Sequence, residues 1–102
     1  MESPREPPRD MKDRTRELAV RIVRLSAALP KTREADVIGR QVLRSGTGLG
    51  ANYREGLRAR SKPEYAAKLN IGLMEAEETL YWLELLESAG IASGAKLASL
   101  KG

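Results

Sequence analysis

Six glutamates, Glu55, Glu75, Glu77, Glu78, Glu84 and Glu87, are the residues whose type and spacing most suggest chemistry, because helical bundles lined with carboxylates host two-metal centres. Those centres take paired Glu-x-x-His motifs, and this chain has no histidine and no cysteine. The plainer reading is a solvated acidic face with one glutamate paired to an arginine. Zinc sites of the usual kinds, thiol nucleophiles and imidazole bases are excluded by the same two absences. Acid/base work by two carboxylates needs a cleft between them, and a small bundle offers no obvious one. A Ser61–Lys62 nucleophile pair fails because adjacent residues on a helix point apart. Gly46, Gly48 and Gly50 suggest a phosphate loop, yet they fit neither G-x-G-x-x-G nor the Walker pattern, and no strand precedes them. The expectation is a protein without catalytic, metal or cofactor-binding residues.

The arginines offer more. Residues 11–63 carry a net charge of +8, whereas residues 64–90 carry −5. Arg14, Arg21 and Arg24 lie near one side of the first predicted helix, and Arg40 and Arg44 are one turn apart on the second. Arg54, Arg58, Arg60 and Lys62 follow within nine residues. Such a set can contact phosphates with salt-dependent, sequence-poor affinity. Platforms for stacking bases are scarce, Tyr53 being the only aromatic residue of the basic half. Basic and acidic helices that neutralise one another, within or between subunits, are the alternative account of the same asymmetry.

These residues need elements to position them. At 102 residues the chain has one domain's length. Residues 1–9 hold Pro4, Pro7 and Pro8 among charges and read as a disordered tail, leaving 10–102 as a single domain. No apolar run approaches a membrane span and residues 1–10 do not resemble a signal peptide, so the expected location is the cytoplasm. From Met11, the positions Met11, Leu18, Ile22, Leu25 and Leu29, with Thr15 in the remaining slot, trace one helical face that Pro30 ends. A second helix should start near residues 32–34 and present Ile38, Val42, Ser45, Leu49 and Asn52. Its glycine-rich middle means that the helix breaks there or that small residues let another backbone approach.

Ser61-Lys62-Pro63-Glu64 is a capping box, the clearest local signal in the chain. It opens a third helix running to about Ser88, with Gly90 and Ile91 placed for a hydrophobic C-cap. From Tyr65 to Leu86, 14 of 22 residues are apolar or aromatic. One stripe is Tyr65, Leu69, Gly72, Ala76, Thr79, Leu83 and Leu86; a second is Ile71, Met74, Trp82 and Leu85. A helix apolar on two sides must be covered on two sides, by a fourth helix or by another subunit. Residues 93–100 supply about two turns of a fourth helix. The second stripe is therefore the expected oligomer interface.

Three segments carry a family resemblance: Gln41 to Ser45, Gly50-Ala51-Asn52-Tyr53-Arg54-Glu55-Gly56, and Arg58-Ala59-Arg60-Ser61-Lys62-Pro63-Glu64-Tyr65. With Glu75, Glu78 and Tyr81-Trp82-Leu83-Glu84, they resemble the bacterial four-helix-bundle proteins named after the 23S rRNA intervening sequence. The resemblance spans roughly residues 10–91. It implies an all-α, up-and-down antiparallel bundle of two medium helices, one long helix and a short fourth, assembled as a homopentameric ring. It also implies similarity to the accessory variability determinant of diversity-generating retroelements, a non-enzymatic nucleic-acid binder that partners a reverse transcriptase. Arg44, Arg54, Arg58 and Arg60 fall within the motif and, with Lys62, are the expected nucleic-acid contacts. Asn52, Glu55, Ser61 and Glu64 read as structural. The family's fourth helix is usually longer than the segment available here.

The function expected is thus an oligomeric helical bundle that binds RNA, DNA or a nucleoprotein through an arginine-rich surface. The alternative is a purely structural or protein-binding module.

Overall fold

Three N-caps and two prolines divide the chain. In this computed structural model, which describes residues 10–93, Asp10 accepts the Lys12 amide at 3.0 Å and opens α1 (Met11–Ala28). Pro30 follows its C-cap, Leu29. Thr32 accepts the Ala35 amide at 3.1 Å and opens α2 (Arg33–Leu57), and Ser61 accepts the Glu64 amide at 3.2 Å to open α3 (Lys62–Ser88). No strand occurs among the described residues. The proposed tail, 1–9, lies outside them.

α2 runs unbroken through its glycines, so the second of the two sequence readings holds. Facing pairs fix the packing as antiparallel on both sides of this helix. Against α1, Gly39 meets Leu29, Gly46 meets Ile22 and Gly50 meets Thr15. Against α3, Ser45 meets Thr79, Gly48 meets Glu75, Leu49 meets Gly72 and Gly56 meets Tyr65. α2 is the middle helix: its backbone approaches both others closely, whereas α1 and α3 do not approach each other in this way. A Cβ on Gly46 would sit 2.9 Å from Ile22, a fully buried, β-branched side chain, so hydrogen at that position is what lets α1 close.

The core is gathered at the end of the molecule where α1 finishes and α2 begins. Ile22 and Leu25 of α1 and its C-cap Leu29 meet Ala35 and Val42 of α2 and Leu83 and Leu86 of α3 there. Full burial of each of the larger side chains contributes about 1.5–3 kcal/mol. The opposite end is looser, with an apolar groove of about 330 Å³ among Met11, Leu49, Tyr53, Tyr65, Leu69 and Leu73.

One expectation is corrected here. The described residues form three helices, not two medium helices and a long one with a short fourth. Gly90, at φ +75°, and Ile91 close α3 in a Schellman motif, the Gly90 amide donating to the Glu87 carbonyl and the Ile91 amide to Leu86. Ile91 and Ala92 then pack onto the core, so two residues cover the place where a helix was expected to begin. Of the segment expected to form the fourth helix, residues 94–100 lie outside the described residues. The homopentameric ring has no support in this fold either; the three helices close a core within one chain.

The two stripes on α3 separate as their periodicity requires. Gly72, Thr79, Leu83 and Leu86 are buried, whereas Ile71 and Met74 are exposed. Trp82 and Leu85, expected with them at an interface, are half-buried, Trp82 being packed on the core.

Candidate nucleic-acid interface

Antiparallel packing brings the start of α1, the end of α2, the α2–α3 turn and the start of α3 to one end of the molecule. Arg54, Arg58, Arg60 and Lys62 lie at this end and all four are exposed. Arg54 in the last turn of α2 and its C-cap Arg58 are one turn apart. Arg60 stands in the turn and Lys62 on the first residue of α3. None of the four side chains has a carboxylate partner among the described residues.

Residues expected to be structural build this end. Asn52 donates to the Gly48 carbonyl at 2.9 Å, within α2. Glu55 accepts Lys68 Nζ at 2.7 Å, tying α2 to α3 and withdrawing Lys68 from the basic set. Glu64 accepts the amide of Arg60 at 3.1 Å, one residue before the N-cap, and so fixes the turn that presents Arg60.

Arg44 is not part of this cluster. It lies ten residues before Arg54, about 15 Å along the helix, and its guanidinium is engaged by Gln41, Glu75 and Glu78. Glu78 also accepts the Trp82 indole N–H at 2.9 Å. That hydrogen bond and the neighbouring Arg44 hold its carboxyl below the ordinary value of 4.5, against a desolvation that acts the other way. Arg44 thus clamps α2 to α3, and the acidic face of α3 is in part neutralised by the chain's own arginine.

Sequence reasoning missed Arg16. It faces Arg54 across a groove of about 310 Å³ between α1 and α2. Arg16 falls beside the apolar face of α1, but nothing in a single sequence states which part of α2 it will meet. Among the described residues no group of acidic side chains could hold a metal ion, and no helix is long and apolar enough to cross a membrane. What this end presents chemically is a set of guanidinium and ammonium donors for an anion.

Comparison with known proteins agrees with the motif. The structure is similar to that of a protein of unknown function from the S23 ribosomal protein family of Bacteroides thetaiotaomicron, with 44% identity and a TM-score of 0.84. The match covers 89% of this chain and 84% of that one. Among curated proteins none matches. The model of the 23S rRNA-intervening sequence protein family matches residues 9–102, which include all three helices. The chain therefore belongs to the 23S rRNA-intervening sequence protein family.

Proposed function

We propose that the protein is a non-enzymatic, cytoplasmic nucleic-acid-binding module. Its basic end, in this reading, holds the phosphates of RNA or DNA, free or within a nucleoprotein. The observation that carries the reading is the exposure of Arg54, Arg58, Arg60 and Lys62 at one end, with no carboxylate opposite any of them among the described residues. Charges left unneutralised together in this way create a field that raises the local concentration of polyanions. A reverse transcriptase as the nucleoprotein partner rests on the resemblance alone.

A second reading has its own observation. Ile71, Met74 and Tyr81 leave an apolar strip exposed on one side of α3, the kind of surface that protein contacts cover. Self-association through this strip is compatible with the first reading and multiplies a weak basic end by avidity. Native mass spectrometry of protein purified without a high-salt wash tests both. Co-purifying RNA or DNA that is released by salt is the expected result. A nucleic-acid-free protein that ignores added RNA contradicts the first reading, and a strictly monomeric one contradicts self-association.

A further inference from the structure

We infer that the groove between α1 and α2 beside Arg16 and Arg54 seats a phosphate of the bound nucleic-acid backbone, the two guanidinium groups clasping it from opposite helices. The inference rests on the nucleic-acid reading above and adds to it a position and a residue.

Two grooves on the α1–α2 seam contrast informatively. One is lined by Val23, Ala27, Asp36, Arg40 and Leu43, and there Arg40 is paired with Asp36 at 3.1 Å. The other is lined by Thr15, Arg16, Ala19, Thr47, Ala51 and Arg54. Its lining includes two arginines and no acidic residue, and neither arginine has an ion-pair partner among the described residues. Like charges lining one groove repel, and an anion between them turns that repulsion into attraction.

The floor of this groove is small. Gly50 allows α1 in so closely that a Cβ there would stand 3.1 Å from the Thr15 hydroxyl, and Ala19 and Ala51 leave no bulk to exclude a phosphate. The threonines do not supply donors. Thr15 gives its proton to the Met11 carbonyl at 2.8 Å and Thr47 gives its own to Leu43 at 2.8 Å. The donors must be the guanidiniums, which match phosphate oxygens two at a time. Arg58 lies one turn beyond Arg54, on the way to Arg60 and Lys62, so a strand seated in the groove tracks onto the rest of the basic end.

The test compares Arg16→Ala, Arg54→Ala, their double variant and Arg54→Ala/Arg58→Ala/Arg60→Ala for binding to a fluorescein-labelled single-stranded RNA of mixed sequence across a salt series. Arg16→Ala is expected to weaken binding about tenfold, and removal of both arginines to flatten the slope of log affinity against log salt by about 0.7, the share of one phosphate on a single strand. Because the two arginines share one phosphate, the double variant should lose less than the product of the single losses. Arg16→Lys should keep the slope and still bind more weakly, since an ammonium cannot make the paired contact. Ala51→Glu, which puts a carboxylate on the floor, should weaken binding at least as much as Arg16→Ala. If Arg16→Ala and Ala51→Glu bind like the parent while the triple variant loses affinity, the groove is overturned and the nucleic-acid reading stands. If the triple variant also binds like the parent, both fall. Single losses that multiply fully in the double variant overturn the shared phosphate.

Discussion

Thr79 of α3 and Ser45 of α2 join their hydroxyl groups at 2.9 Å inside the helix interface, and both residues are buried. Each hydroxyl also lies within reach of a carbonyl of its own helix, Ser45 of Gln41 at 3.0 Å and Thr79 of Glu75 at 2.7 Å. Two protons are shared among three contacts, so the bond between the helices forms when Thr79 turns its proton from the Glu75 carbonyl to Ser45, and this contact fixes the register of the two helices. Gly48 against Glu75 and Glu55 against Lys68 keep the same register on either side. Thr79→Val, equal in shape and lacking the hydroxyl, should destabilise the protein by about 1 kcal/mol in urea unfolding, because Ser45 keeps its Gln41 partner. A loss well above that would mean that Ser45 depends on Thr79 for its only bond.

The glycines of α2 should separate by what they face. Gly46→Ala drives a methyl group into buried Ile22, and overpacking of about 1–3 kcal/mol outweighs the gain of up to about 1 kcal/mol in helix propensity. At Gly48 the nearest atoms belong to the Glu75 carboxylate, the movable end of a long side chain. Gly48→Ala should then be at least as stable as the parent. Thermal melts of the two variants check the order, and the reverse order would contradict the packing described here.

The Ser61 cap is worth isolating from the arginines that surround it. Ser61→Ala removes the acceptor for the Glu64 amide and should cost about 1 kcal/mol of stability. It leaves Arg58, Arg60 and Lys62 in place, so RNA binding measured below the melting transition should hold. Weakened binding with an unchanged melting temperature would assign Ser61 a direct role in holding RNA.

Acid should release the clamp between α2 and α3. The folded-state pKa of Glu78 is lowered, chiefly by the Trp82 indole and then by Arg44. A lowered carboxylate pKa contributes stability that is present above its ordinary value, 4.5, and is lost as the pH falls through the lower folded-state value. Glu78→Gln should therefore be less stable than the parent at neutral pH, with the difference closing below about pH 4.5. Trp82, the single tryptophan, reports the same change by fluorescence. A difference that stays constant across this range would show that the carboxylate contributes nothing as an ion.

Much of this was legible from the residues, and what was not has physical causes. Pro30, the capping box at Ser61 and the Gly90–Ile91 stop set helix ends through local backbone chemistry, and the structure has those ends. Inward and outward stripes on α3 follow from a 3.6-residue period. Whether α2 would break at its glycines depended on where Ile22 and Thr15 would stand, which is tertiary information. The same limit separates Arg44 from Arg54 and Arg58: all three are exposed arginines on one helix, yet only Arg44 meets Glu75 and Glu78, and only the register decides that. Arg16 escaped notice for the converse reason, since its neighbour Arg54 is distant in sequence. The short fourth helix came from the resemblance and from the excess apolar surface of α3, whereas the chain closes that end of its core with Ile91 and Ala92.

The most direct measurement of the central claim is RNA affinity as a function of salt for the parent and for Arg54→Ala/Arg58→Ala/Arg60→Ala. The account predicts that the parent binds with a steep salt dependence. In the variant the slope for single-stranded RNA should flatten by about 0.7 for each phosphate no longer neutralised, about two in all, with the helical content unchanged. A parent that does not bind RNA or DNA at low salt, or a variant with the parent's affinity and slope, would contradict it.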